Sequence, residues 1–150
     1  KITGKRPRGW VGPGLTETWE TVDVLAEEGY DYVGDWVLDD QPVWLKTRGK
    51  PLLSIPYTQE CNDVAMMLIQ HHKASEFYER AIDQFEQIYK DAKDSARVMA
   101  ISVHPYIMGA PHRVKYFRKI FEKIRKKKDV LFWNGSQILD WFLKVGPKAP

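Results

Sequence analysis

Short apolar segments alternate with longer amphipathic segments along most of this chain. Residues 98–103 (VMAISV) form a nearly continuous apolar run, whereas residues 75–89 repeat apolar side chains at helical spacing. Strands buried on both faces and separated by helices are typical of β-α units with a mostly parallel sheet. The sequence therefore predicts an α/β fold. The remaining expected strands are 30–37, 51–57 and 129–133, and the remaining expected helices are 17–28, 114–127 and a terminal helix that opens at Ser136.

Size and composition limit the possible classes of protein. The chain has 150 residues, which suits one domain over 1–150, and its net charge of +3 does not require a nucleic-acid partner. Cys61 is the single cysteine, so no internal disulfide is expected, and no apolar run reaches the ~20 residues of a membrane span. We expect a cytoplasmic protein, or an extracellular one if its precursor carries a signal peptide. The basic, Gly/Pro-rich start without methionine is typical of a protein interior, and we interpret the chain as a fragment or processed product.

Polar residues follow the expected strands, at the positions where parallel α/β folds gather their catalytic groups. His104 directly follows 98–103, and its imidazole could act as a general acid or base. The alternative is a strand-end histidine bonded only to backbone. The segment DWVLDDQP places Asp35, Asp39 and Asp40 within six positions at a strand end, where they could orient an imidazole, bind a cation or hold a cationic substrate group. The alternative is that they are ordinary turn residues before Pro42.

Several other features have structural and functional interpretations. Arg6 could pair with one of the aspartates or with a substrate oxyanion, but the stretch RPRGW also suits a surface loop with one buried tryptophan. His71 and His72 are adjacent and lack the i, i+4 spacing of a helical metal site, so no metal ligands are assigned. The basic run 118–128 suits the solvated face of a helix, because it lacks the interleaved aromatic residues of a nucleic-acid platform.

Five segments occur in a characteristic order: RPRGW, DWVLDDQP, LSIPYTQECND, VMAISVHPYIMGAPHR and FWNGSQILDWF. Together they resemble the second half of a polysaccharide deacetylase superfamily protein. The resemblance is closest to the branch of cofactor-free allantoinase-like and peptidoglycan-deacetylase-like proteins. It implies the C-terminal half of an irregular (β/α) barrel, completed by another segment or by self-association. It also implies hydrolysis of a non-peptide carbon–nitrogen bond, either deacetylation of N-acetyl sugars or opening of a cyclic ureide.

The same resemblance implies roles for particular residues. His104 would be the general acid that protonates the leaving nitrogen, and Arg6 would position the catalytic carboxylates. Asp39, or failing that Asp40, would tune the acid strength of the histidine. The usual pattern places this aspartate before a tryptophan, as Asp35 stands here. The residues expected to line the substrate pocket are Trp10, Glu60, Asn62, Asp63 and Tyr106.

The family's first-half motifs, which carry the catalytic base and the paired metal-binding histidines, do not occur in this chain. The resemblance therefore implies either no cofactor or one divalent metal bound mainly by residues outside the chain. It implies a partner as well, which would be the N-terminal half of the barrel or a second copy. The expected substrate is a small-molecule amide or N-acetyl sugar, with no nucleic acid or membrane involved. The alternative is a non-catalytic remnant that binds a sugar or ureide, or only assembles.

Overall fold

The computed structural model describes residues 3–149, which divide into two compact units. The first unit contains the chain up to Pro56 and again from Phe132, and the second contains Tyr57–Leu131. Among the described residues, no helix combines the length and apolar character that crossing a membrane requires.

The first unit is built around a four-stranded sheet with the order β1-β2-β4-β3. Strands β1, β2 and β4 run parallel, and β3 runs antiparallel to β4. A 3-10 turn and helix α1 follow β1, and helix α4 returns to this unit at the end of the chain. The bounds are β1 Gly9–Trp10, 3-10 turn Pro13–Leu15, α1 Thr21–Glu27, β2 Tyr32–Val33, β3 Val43–Leu45, β4 Leu52–Ser54 and α4 Gly135–Val145.

Strand β4 is the centre of this unit because helices cover both faces of it. Successive side chains on a strand point to opposite faces. Leu52 accordingly packs in one apolar cluster with Leu25 of α1, and Leu53 in another with Leu139 and Phe142 of α4. All three residues of β4 are buried, as the apolar run in the sequence predicts for a strand covered on both faces.

The second unit is mainly helical. A π-helix spans Val64–Ile69, α2 spans Ala74–Asp91 and α3 spans Pro111–Ile124. Apolar side chains from all three helices and from the loop after His104 form one core. The members of this core that are at most 1% exposed are Cys61, Met66, Phe77, Ala81, Ile107, Met108 and Ile120.

The α/β class is confirmed, and the helices occur close to where they were expected. Helix α1 begins at Thr21, later than expected, and ends before Gly29, whose φ of 79° is the left-handed conformation of a helix stop. Helix α4 is capped by Asn134, whose side chain accepts from Gln137 N. The helix was expected to open at Ser136, which is two residues after the observed cap.

The strand predictions were less accurate. Strands β1 and β3 were missed, and the expected strand 129–133 forms no ladder in the part of the chain that the structure describes. Segment 98–103 contributes a single parallel bridge, Ser102 to Asn62. An apolar run indicates an extended, buried segment, but a strand also requires a neighbouring strand, which local sequence does not specify.

Candidate active site

The most closely organised polar contact in the second unit joins His104 to Asp63. Nδ1 of His104 lies 2.7 Å from Asp63 Oδ1. The other carboxylate oxygen, Oδ2, accepts from the backbone N–H of His104 at 2.8 Å and of Met108 at 3.2 Å. Asp63 is 0% exposed, whereas 38% of the His104 side chain remains accessible. A buried carboxylate thus binds one end of an imidazole whose remainder faces outward.

Local backbone structure brings these two residues together. The parallel bridge between Asn62 and Ser102 aligns their segments, and the N–H of Asp63 donates to the carbonyl of Ser102 at 3.1 Å. Asp63 is also the N-cap residue of the π-helix, a helix type that is frequent at functional sites. The register of one bridge therefore places a carboxylate beside a histidine 41 residues further along the chain.

The loop after His104 closes tightly over the same carboxylate. The carbonyl of His104 accepts from the N–H groups of Ile107 and Met108, and this turn directs the Met108 N–H to Asp63. A Cβ on Gly109 would lie 2.2 Å from the Pro105 carbonyl oxygen, so only glycine fits there. Pro111 then occupies the first turn of α3, where its missing N–H is not needed.

This geometry determines which nitrogen of His104 can exchange a proton. A carboxylate oxygen accepts hydrogen bonds, so Nδ1 is assigned as the donor to Asp63. Nε2 is then the atom that can transfer a proton to or from a ligand. The ring of Tyr106 packs edge-on to the imidazole with centroids 5.7 Å apart, and Tyr106 is 70% exposed. The pair therefore presents a ring nitrogen beside an accessible aromatic surface.

The other expected residues of the second unit make hydrogen bonds of their own. The Oδ1 atom of Asn62 accepts from the N–H of Val64 at 3.0 Å, so this side chain supports the start of the π-helix. Glu60 is exposed, and its backbone carbonyl accepts from Arg80 at 3.2 Å. Tyr57, which was not singled out from the sequence, shares a 2.7 Å hydrogen bond with Ser102.

The remaining expected residues lie in the first unit. A Cβ on Gly29 would lie 2.7 Å from the guanidinium nitrogens of Arg6, which places the Arg6 head group against the turn after α1. Trp10 packs edge-on against Tyr30, with ring centroids 5.9 Å apart. Asp39 Oδ1 accepts from the backbone N–H of Asp40 at 2.7 Å. Trp10 is thus part of a core cluster, and the two aspartates lie in the segment that follows β2.

The role expected of Asp39 or Asp40, which was to tune the acid strength of His104, stays a prediction. The carboxylate bonded to His104 belongs to Asp63, which had been expected to contact substrate. Sequence reasoning missed this because the bridge that aligns Asn62 with Ser102 leaves no local pattern. The available signal was that Asp63 and His104 each follow a segment with strand character.

Among residues 3–149, no group of three or more His, Cys, Asp or Glu side chains is arranged to hold a metal ion. The donor set for a resident metal is therefore not present within this part of the chain.

No protein-family model matches the chain. The peptidoglycan deacetylase of Helicobacter pylori is 27% identical over 179 residues, which covers 98% of this chain and 60% of that protein. A putative polysaccharide deacetylase of Schizosaccharomyces pombe is 31% identical over 123 residues, covering 74% of this chain and 38% of that protein.

The solved structure of Puue allantoinase matches with a TM-score of 0.89 and 28% identity, over 99% of this chain and 50% of that one. The resemblance to the polysaccharide deacetylase superfamily is therefore confirmed, together with the half-barrel architecture. The chain spans about half the length of this solved neighbour and 60% or less of the two curated relatives.

Proposed function

We propose that this chain supplies the general-acid half of a hydrolase that cleaves non-peptide carbon–nitrogen bonds. The observation that carries the proposal is the contact between buried Asp63 and His104, which fixes Nδ1 and leaves Nε2 for proton transfer. The similarity to deacetylases and to an allantoinase supports the same reaction class.

In the proposed reaction, a base from outside the described residues activates a water that attacks the substrate carbonyl. The tetrahedral intermediate then collapses, and the carbon–nitrogen bond breaks with its electron pair going to nitrogen. The Nε2–H of His104 gives its proton to that nitrogen, so that a neutral amine leaves. Asp63 acts as a positioning residue, because its acceptance of Nδ1–H fixes the ring orientation and stabilises the charged imidazole before the transfer.

The other residues keep their expected roles as proposals. Arg6 would position the catalytic carboxylates, and Asp39, or failing that Asp40, would tune the acid strength of His104. Tyr106 is suited to contact the substrate, because its exposed ring lies against His104. The remaining proposed substrate contacts are Trp10, Glu60 and Asn62.

The part of the fold that this chain does not span would provide the base and any metal. We propose that the N-terminal half of the barrel completes the site, with a second copy of the chain as the alternative occupant. The substrate would be a cyclic ureide or an N-acetyl sugar, without a nucleic-acid partner. The free, buried thiol of Cys61 is compatible with the reducing cytoplasm as the compartment.

The first measurement is native mass spectrometry of the purified protein, followed by its denatured intact mass. A second chain of comparable mass would support a two-part enzyme, and its sequence would identify the base. If only the 17.5 kDa chain is present, alone or self-paired, the two-part enzyme is excluded for that sample. A non-catalytic remnant would then be the better description.

The catalytic test uses the chain reconstituted with a segment carrying the missing half. Allantoin opening and acetate release from an N-acetylglucosamine oligomer are measured in parallel, and the faster reaction identifies the substrate class. His104→Ala should lower kcat/KM by about 10² to 10⁴-fold. His112→Ala is the matched control, because His112 is an exposed histidine on α3, and it should retain the parent rate. A loss of less than tenfold for His104→Ala would contradict the assignment.

The variant Asp63→Asn tests whether Asp63 positions the imidazole of His104 or only supports folding. The amide oxygen can still accept both backbone N–H groups, but its NH₂ group would face Nδ1 and favour the other imidazole tautomer. We expect a fall in kcat of at least ~10²-fold with KM and folding retained, since a comparable Asp-to-Asn change in a serine protease triad costs about 10⁴-fold. Unchanged kcat would show that Asp63 is only structural.

A further inference from the structure

A second polar cluster lies in the first unit, in the segments that follow β1 and β2. Asp35 is 7% exposed, and its two oxygens accept from the backbone N–H of Gly12 at 2.7 and 2.9 Å. A Cβ on residue 12 would lie 2.9 Å from Asp35 Oδ2 and 3.3 Å from the Trp10 indole nitrogen. Glycine at position 12 therefore permits the close approach that binds this carboxylate to the backbone.

The carboxyl group of Glu17 lies next to this anchored aspartate. Both Glu17 oxygens and the Trp36 indole nitrogen are buried and make no hydrogen bond to the described residues. Burial and the neighbouring Asp35 raise the pKa of Glu17 to about 7, while the Trp36 indole favours the charged form. The two groups that face Glu17 are thus a carboxylate and an indole, and neither offers a compensating positive charge.

We propose that Glu17 and Asp35 share one proton and form a proton-operated latch between the segment after β1 and the segment after β2. This latch is separate from the proposed hydrolysis, because it needs neither a substrate nor the missing half of the barrel. The segment after β2 also carries Asp39 and Asp40.

The chemistry of the latch follows from its three polar groups. When Glu17 is protonated, its O–H donates to an Asp35 oxygen and its carbonyl oxygen accepts from the Trp36 N–H, so each group gains a partner. When Glu17 loses that proton to solvent, two carboxylates face each other at close range and repel. Because Asp35 stays bound to Gly12, Glu17 and the indole are the groups that move.

The experiment is a pH titration of the ¹⁵N-labelled 150-residue chain by NMR. The Trp36 indole N–H resonance is assigned with Trp36→Phe and followed from pH 5.5 to 8.5. In the parent chain this resonance and the Gly12 amide should shift together with a midpoint near pH 7. Glu17→Gln mimics the protonated form and cannot titrate, so both resonances should stay constant. Asp35→Asn removes the facing charge and should lower the midpoint by more than one pH unit.

Two outcomes would overturn the latch. One is a Trp36 resonance that titrates in Glu17→Gln as it does in the parent chain, which would assign the transition to another group, such as one of the four histidines. The other is a parent resonance that is flat across the range or has a midpoint near 4.5, the ordinary value for a glutamate. Amide spectra of both variants verify folding. If Asp35→Asn does not fold, the test depends on Glu17→Gln, which keeps the size of the side chain.

Discussion

Removing the Asp63 carboxylate should destabilise the second unit, because the backbone N–H of His104 has no other acceptor among the described residues. In Asp63→Ala the backbone N–H groups of His104 and Met108 lose their shared acceptor, Oδ2. The Met108 N–H keeps the His104 carbonyl as an acceptor at 3.0 Å. The imidazole can turn towards water, since 38% of its side chain is already accessible. The main loss is therefore the acceptor of the His104 N–H.

The magnitude follows from those two groups. A buried donor left without its acceptor costs about 1–3 kcal/mol. The His104 N–H gives a loss of about 2 kcal/mol in the free energy of unfolding, and the Met108 N–H contributes little because it keeps its bond to the His104 carbonyl. Asp63→Asn retains an acceptor oxygen at the same place and should cost about 1 kcal/mol or less. Comparing the two variants therefore separates the effect of losing the hydrogen-bond acceptor from the effect of losing the charge.

Cys61 provides the assay. It is the single cysteine, it is 0% exposed, and its thiol donates to Gln84 Oε1 at 2.8 Å. Burial, as the main cause, raises the pKa of this thiol to about 11, so a thiol reagent should react only when the second unit opens. When opening is in rapid equilibrium, the labelling rate follows the open population. A loss of about 2 kcal/mol then corresponds to a rate increase of about 30-fold.

Measuring labelling rates with a chromogenic disulfide under native conditions gives the comparison directly. We expect about a 30-fold increase for Asp63→Ala and less than a tenfold increase for Asp63→Asn. Tryptophan fluorescence provides an independent check of the first unit, because all six tryptophans lie there. An Asp63→Ala rate within threefold of the parent would refute the view that this carboxylate holds the backbone of the site.

Three further predictions concern stability measured by urea unfolding. Asp31 accepts a hydrogen bond from Lys50; burial opposes ionisation, but basic neighbours lower the pKa of Asp31 overall. The contribution of the Asp31 carboxylate to the free energy of unfolding is therefore present above the ordinary aspartate pKa. It is lost as the pH falls through the lowered pKa of the folded protein. Because the pair is partly exposed, Asp31→Asn should cost under ~1 kcal/mol at pH 7, less in high salt, and nothing near pH 2; a loss that persists at pH 2 would contradict this. Gly109→Ala should cost about 2 kcal/mol or more, because the new Cβ meets the Pro105 carbonyl; a neutral effect would contradict that steric argument. Asn134→Ala removes the α4 N-cap and should cost about 1 kcal/mol, with Asn134→Ser as the rescue; equal stability of the Ala and Ser variants would argue against capping.

Helices were more predictable from the sequence than strands. The spacing of apolar residues in α2 and α3 reports which face is buried, and this is a local property. The β1 segment, Gly9–Trp10, was instead interpreted as part of a loop, because two residues carry no periodic pattern. Whether such a segment is a strand depends on pairing with β2, more than twenty residues away in the chain.

The candidate site, like the fold, was predicted from the sequence only in part. The sequence alone identified His104, through its position after an apolar segment and before a loop rich in proline and glycine, and it determined the fold class. Tertiary structure decided that Asp63 is the carboxylate that holds the imidazole, and that Glu17 lies against Asp35. Periodicity and turn chemistry act between neighbours in the chain and are visible in the sequence. The contacts of a buried carboxylate depend on the register between distant segments, which exists only after the chain has folded.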